Sequence, residues 1–558
     1  MIEITDRWGL AKKGIWEFKE QQIELPNIFF LEGGRFDPPS NAEITISTSK
    51  DSTFTIFESF FQSSDDSSFP TPFAYPNGVG DGLVKTRGGH EKIQVIYDQE
   101  PDPGAELYVL GNAPELLHRS DLLYEKLVGL RKKLEYHKLI YAPGIAQPQN
   151  MALLSYLGVD FFDSSFSEFI GLDDVELTDW MGFAGRPESN NINLLRELEL
   201  VRKGIENGRI RELVESRVRT EPWLVEVLRA ADEDYEVFSK GVPVTGKTLD
   251  ATTRESLNRP DIKSFIRRIK NRYEPPERDV LLLLPCSARK PYFLSRTHSR
   301  IRDATQQGDW TELQEVVLTS PLGAVPRELE QFYPAQQYDI PVTDEWFEDE
   351  KELIMEQLKT IMDKRGYKKV ISHLPEGMSF VADEIGCINT TEGAHPTSAE
   401  AIERLAEAVK RHVGEDLGSV SRYLKENLTS FAVFQFGERG KALLEGAEVK
   451  GRYPRYKIIE GGEQRGMLVP ERGLISLTLE GAQKLKGQQI YQAQIDDFKP
   501  KGSVFAVGVK KADHEIRPED EVLVLHKDEL RGVGPASMLG KEMEDAERGE
   551  AVRLRHYP

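Results

Sequence analysis

Apolar and polar positions along the chain change period several times, and the changes divide it. In the first part Ile93-Gln94-Val95-Ile96-Tyr97 predicts a strand, and Leu122 to Tyr136 predicts a charged helix. Lys138-Leu139-Ile140-Tyr141-Ala142 predicts a strand closed by Pro143-Gly144. Asn150 to Leu157 predicts a short helix that leads into Gly158-Val159-Asp160-Phe161-Phe162-Asp163-Ser164, and helical spacing returns from Leu194 to Ser216. This alternation predicts a parallel sheet covered by helices, either open or closed into a barrel.

The polar, proline-bearing passage from Asn258-Arg259-Pro260 to Pro275-Pro276-Glu277 reads as an interdomain link carrying a basic amphipathic helix. Beyond it Leu281 to Leu284 predicts a strand buried on both faces and ended by Pro285. His298 to Gly308 predicts a helix, Glu315 to Leu318 a strand, Asp344 to Gly366 a long helix with early acids, and Lys369 to His373 another strand. From Ser398 onward Ala401, Leu405, Ala408, Val409, His412 and Val413 fall on one helical stripe, completing the pattern of an αβα sandwich. Phe431-Ala432-Val433-Phe434-Gln435-Phe436 alternates as a strand would and opens a small α+β module running to about Lys486. Short strands at regular turn spacing from about Gln489 predict a terminal small barrel.

A length of 558 residues predicts three or four domains. No apolar run approaches the roughly 20 residues that span a bilayer, and Met1-Ile2-Glu3-Ile4-Thr5-Asp6 is not a signal peptide, so a cytoplasmic protein with no membrane contact is expected. Two cysteines, Cys286 and Cys387, are too few for a disulfide scaffold. The net charge of −21 disfavours non-specific binding to nucleic acid. Local basic clusters at Arg131-Lys132-Lys133, Arg267 to Arg272, Lys499 with Lys501, Lys510-Lys511 and Arg553 with Arg555 leave specific binding open.

The chemistry concentrates after the leucine strand. Cys286, Ser287, Lys290, Tyr292, Ser295 and His298 follow one another within a loop at a strand's carboxyl end, where ligands collect in open α/β sheets. A cysteine taken alone is usually packing. The spacing Pro-Cys, three residues, Lys-Pro-Tyr, two residues, Ser, two residues, His resembles the signature of archaeosine synthase, an archaeal paralogue of tRNA-guanine transglycosylase. Pro285, Cys286, Lys290, Pro291, Tyr292, Ser295 and His298 fill every fixed position of it.

That resemblance implies an α/β multidomain protein. Residues 1–270 would form a degenerate TIM-type barrel like that of tRNA-guanine transglycosylase, and 277–417 an αβα core domain related in topology to uracil-DNA glycosylases. Residues 428–486 would form the small α+β module, and 487–558 a C-terminal PUA β-barrel that binds RNA. Lys138 to Ser164 is similar to the transglycosylase segment carrying the nucleophilic aspartate, which matches Asp160. The structural zinc of that family needs three clustered cysteines, absent from this sequence, so no metal is expected. Asp98 reads as ordinary strand-end capping.

The resemblance further implies addition of an amine, free lysine or another donor, to the nitrile of 7-cyano-7-deazaguanine in the D-loop of tRNA. A radical SAM lyase would act on the product. Cys286, Lys290, Tyr292, Ser295 and His298 are the catalytic candidates, and Ser287, Asp339 and Asp160 the substrate-binding ones. Cys286 would attack the nitrile or only shape the pocket. His298 or Tyr292 would handle protons, and Lys290 would lower the thiol pKa or bind an anion. No glycine-rich nucleotide loop occurs and no cofactor is expected. A transglycosylase using Asp160 and a noncatalytic tRNA-binding partner are the alternatives, and a homodimer is left open.

Overall fold

Strands β1 (Ile2–Trp8), β2 (Ala11–Phe18) and β3 (Gln21–Leu25) form an antiparallel meander at the start of the chain in the computed structural model. The structure describes residues 1–18, 21–31, 35–46, 92–117, 119–341, 345–487 and 490–558. The expectations placed on Asp344 and on Gln489 lie outside these residues. The chain falls into two units: Met1–Val242 with Phe505–Val509 and Met538–Ala551, and Pro243–Val504 with Lys510–Ser537 and Val552–Pro558.

In the first unit β4 (Asn27–Leu31), β5 (Thr45–Ile46), β6 (Ile93–Ile96), β7 (Leu107–Leu110), β8 (Leu139–Tyr141) and β9 (Phe161–Asp163) make one sheet in the order β5-β4-β9-β8-β7-β6. Every neighbouring pair in it is parallel. Among the described residues the sheet is open between β5 and β6, so the expected barrel is seen here as an open parallel sheet. Helices α1 (Ser120–Lys133), α2 (Pro148–Tyr156), α3 (Asn190–Glu206), α4 (Ile210–Arg217) and α5 (Pro222–Glu233) bury apolar stripes in the core of this unit, Leu123, Leu127, Leu198, Val214 and Leu228 among them. The single helical stretch read over Leu194–Ser216 is two helices, because Gly208 takes φ +68° and stops the first. Between them and the sheet runs a hairpin of β10 (Val175–Leu177) and β11 (Gly182–Ala184) in chain order.

The second unit begins with β12 (Leu249–Asp250) and α6 (Pro260–Asn271). This helix corrects the reading of the passage as a link: Ile262, Phe265 and Ile269 are buried, and Phe265 meets the ring of Phe434 at 5.5 Å. The amphipathic pattern reflected a packed helix, and part of its basic face is used internally, with Arg268 donating to the Tyr491 hydroxyl at 3.3 Å.

Strand β13 (Val280–Pro285) is central in a five-stranded sheet with β14 (Leu313–Thr319), β15 (Gly323–Pro326), β17 (Lys369–Ser372) and β18 (Ile388–Asn389), ordered β15-β14-β13-β17-β18. All pairs are parallel except the edge pair β14 and β15. All six residues of β13 are buried, as a strand covered on both faces requires. A short parallel pair, β12 with β16 (Tyr338–Asp339), lies outside that sheet. Helices α7 (Arg296–Thr305), α8 (Glu348–Lys364), α9 (Ser379–Ile385) and α10 (Ala399–Val413) accompany the sheet.

Phe431 to Phe436 is not a strand but the end of α11 (Val420–Phe436). All six residues are buried, so no polar face reveals the helical period; Ser419 caps the start and Gly437, at φ +76°, ends the helix. Four antiparallel strands, β19 (Glu448–Arg452), β20 (Arg455–Glu460), β21 (Glu463–Val469) and β22 (Leu474–Leu477), precede α12 (Leu479–Leu485). In the terminal region Glu521–His526 lies between Gln492–Ile495, parallel to it, and Glu529–Pro535, antiparallel. Among the described residues no helix is long and apolar enough to cross a membrane.

Candidate active site

A cleft of about 870 Å³ opens beyond the carboxyl ends of the parallel strands. Cys286 enters it directly after β13, Ser320 and Pro321 after β14, Pro375 to Met378 after β17, and Gly393 to Pro396 after β18. Each wall segment is thus held by the end of a strand whose position the sheet fixes. Trp346 and Phe347 add aromatic surface, and among the described lining residues Glu345, Asp349, Glu350 and Glu376 are accompanied by a single guanidinium, that of Arg254, which pairs with Asp349 at 2.7 Å.

The parallel register of β13 against β14 pairs Pro285 with Leu318, which brings the half-buried Cys286 level with Thr319. Burial holds the Cys286 thiol above its ordinary pKa, against a hydrogen bond with Thr319 and the charge of Lys290. Burial likewise holds Lys290 below its ordinary value, against the pull of Cys286 and Asp339. The Lys290 ammonium sits 4.1 Å from the centroid of the Tyr338 ring. Behind the thiol the hydroxyls of Thr319, Tyr338 and Tyr292 form a buried chain, with Tyr292 and Tyr338 2.7 Å apart.

The remaining motif residues stand behind this surface. Tyr292 is fully buried, and burial raises its phenol well above the ordinary range. Ser295 is the N-cap of α7 and accepts the His298 N–H at 3.1 Å. His298 is 1 % exposed; its Nε2 donates to the Pro285 carbonyl at 3.0 Å, and its Nδ1 accepts from Arg327 at 2.7 Å. Burial, reinforced by Arg327, keeps that ring neutral. Arg327 is itself held by Glu315 at 2.6 Å and Glu330 at 2.9 Å, and Glu330 accepts the Phe293 N–H. His298 therefore welds α7 to the carbonyl immediately before the cysteine.

His298→Ala should lower unfolding free energy by about 2 kcal/mol, since a buried carbonyl and a buried guanidinium both lose a partner; a shift in denaturant midpoint measures it. His373, with a pKa held down to about 4, is kept neutral in the same way. The unfolded chain binds protons at these rings below about pH 6.5 and the folded chain does not, so stability falls as pH drops from 6.5 toward 4.

Ser287 is half-buried and donates to the Arg289 carbonyl at 2.9 Å, closing the loop on itself. Asp339 is exposed and reaches Lys290 only through space. Asp160 lies in the first unit, 1 % exposed. Its carboxylate accepts the Ile140 N–H at 2.8 Å and is paired with Arg131 and, at 3.4 Å, with Lys12. Burial, with Arg131 nearby, lowers Lys12 to about 7. Asp163, also buried, accepts the N–H groups of Gly144 and Ser165. Asp98 is exposed and ion-paired with Lys126. Asp160→Asn should cost on the order of 3 kcal/mol of stability by stranding two buried cations; a shift in the denaturant midpoint measures it.

Thr319, Arg327, Arg254 and the segment Gly393–Pro396 complete the surroundings of the cysteine without having been singled out from the sequence. The same rule that points to the loop after β13 points equally to the loops after β17 and β18.

Residues 262–409 match a domain of unknown function, DUF5591, and residues 495–558 match the PUA domain. Over 501 residues the chain is 36 % identical to the archaeosine synthase subunit alpha of Methanosarcina acetivorans, covering 81 % of this chain and 80 % of that one. It is 34 % identical to the archaeosine synthase of Haloferax volcanii, covering 83 % and 84 %. The tRNA-guanine(15) transglycosylase of Methanobrevibacter smithii is 28 % identical over 386 residues, 66 % of this chain and 54 % of that one. The chain belongs to the archaeosine synthase family, which serves tRNA modification in archaeosine biosynthesis.

Proposed function

We propose that this protein adds free lysine to the nitrile of 7-cyano-7-deazaguanine within the D-loop of cytoplasmic tRNA, its PUA domain holding the RNA and a radical SAM lyase acting on the adduct. The observation that carries the reading is the placing of Cys286, under the charge of Lys290, at a cleft of about 870 Å³, ample for an extruded purine-like ring. Trp346 and Phe347 offer faces on which a base can stack. The carboxylates of Glu345, Asp349, Glu350 and Glu376 suit a cationic amine donor better than a phosphate. The first unit's parallel sheet would then be the retained part of a transglycosylase-type barrel.

In this reading the thiol of Cys286 adds to the nitrile carbon. A carbon–sulfur bond forms, one carbon–nitrogen π bond breaks, its electron pair goes to nitrogen, and nitrogen gains the proton the thiol sheds. The amine then adds to the thioimidate carbon and the carbon–sulfur bond breaks, returning the thiol with a proton from the amine. A raised thiol pKa and a lowered lysine pKa bring the two proton affinities together, so Lys290 can take and return the thiol proton at little cost. Tyr292, Ser295 and His298 act by positioning. Incubation with nitrile-bearing tRNA and isotopically labelled lysine should yield a nucleoside heavier by one lysine; an unchanged nucleoside mass overturns the reading.

A further inference from the structure

We infer that His395 is the hydrogen-bond donor to the nitrile nitrogen in this cleft, its Nε2–H meeting the charge that builds there during addition. The inference rests on the reading above and deepens it, because that reading leaves the nitrogen without a partner. Addition at carbon pushes an electron pair onto nitrogen, and a preorganised donor at that position acts on the transition state more than on the ground state. His298 cannot serve, since both of its ring nitrogens are engaged behind the cysteine. Among the described residues lining the cleft, His395 supplies the one imidazole.

The ring's chemistry is set by its neighbours. Nδ1 of His395 accepts the Thr397 N–H at 3.2 Å and lies 2.9 Å from the Thr397 hydroxyl. A nitrogen that accepts a backbone N–H carries no proton, so in the neutral ring the proton resides on Nε2. The side chain is exposed at the cleft with its other nitrogen tied to the loop, which leaves Nε2–H as the donor presented to a ligand. A neutral imidazole of fixed tautomer serves as an electrophilic donor; it need not give up its proton. The proton that nitrogen finally holds is the one released by the adding thiol or amine.

The loop bearing His395 is braced as a rigid platform. His373 Nε2 donates to the Pro396 carbonyl at 2.7 Å, and Arg404 donates to the carbonyls of Thr390 at 2.9 Å and Thr391 at 2.6 Å. The Thr391 hydroxyl donates to the Leu374 carbonyl at 2.7 Å, and Ser398 caps α10 by accepting the Ala401 N–H. Such bracing on both sides of an exposed histidine holds a donor in one place.

The test compares wild type, His395→Ala and His395→Gln in the full chain on nitrile-bearing tRNA with labelled lysine. His395→Ala should lower kcat roughly 100-fold with KM for the tRNA little changed, as for loss of one preorganised donor. His395→Gln, whose amide retains an N–H, should recover part of that loss, which a purely structural role would not do. A kcat for His395→Ala close to wild type, or a glutamine variant no better than the alanine one, overturns the inference while wild-type turnover keeps the parent reading intact. A wild-type protein that adds no lysine brings down the parent reading, and this inference with it.

Discussion

Replacing Cys286 with Ala is expected to lower turnover on nitrile-bearing tRNA by more than ~10³-fold with tRNA affinity unchanged, because the covalent route loses the atom that attacks. Substantial residual turnover would eliminate that route and leave direct attack by the amine. Wild-type protein given tRNA but no amine should accumulate a protein–RNA adduct that Cys286→Ala does not form, detected as a shifted band on a denaturing gel. The pH dependence has a definite sign. Burial holds the thiol above its ordinary value of 9.0, so the reactive thiolate is scarce near neutrality and kcat/KM should climb as pH rises toward 9.

Lys290→Met is the second large effect, a loss of roughly 10²- to 10³-fold through removal of the group that exchanges a proton with the thiol. Its charge also pulls the thiol pKa down, so without it the rising limb of the pH profile moves to higher pH. Part of the lost activity should therefore return under alkaline conditions, which loss of folding would not allow. A variant impaired equally at every pH would mean that Lys290 holds substrate and does not tune the cysteine. The Tyr338 ring under the ammonium remains in this variant, and the methionine stem keeps the packing against it.

The cysteine loop was legible because its strand is four consecutive leucines, a pattern that admits only burial on both faces, and because the motif spacing is dense. What lay hidden was the division of labour inside the motif. Ser295 and His298 have side chains suited to catalysis, and nothing in the sequence tells that the first caps α7 and that the second is buried against the Pro285 carbonyl. His395 was missed for the opposite reason: it follows a two-residue strand, Ile388–Asn389, too short to register as a periodic signal. The helix over Phe431–Phe436 escaped because uniform burial erases periodicity; α6 was legible as a basic amphipathic helix, but not that its apolar face, with Phe265, packs inside a domain and does not lie in a link. The meander of β1 to β3 at the start of the chain offered no motif on which to anchor a reading.

The leucines of β13 have one further consequence. Side chains along a strand alternate between faces, and the pairing of this strand with β14 extends through Pro285 opposite Leu318. Removing a single leucine would slide the following segment by one step, carrying the sulfur past Thr319 and turning it toward the opposite side of the sheet. The run works as a measuring rod whose length, more than its composition, decides where the thiol arrives, so a leucine-to-isoleucine change should be tolerated where a one-residue deletion silences the protein.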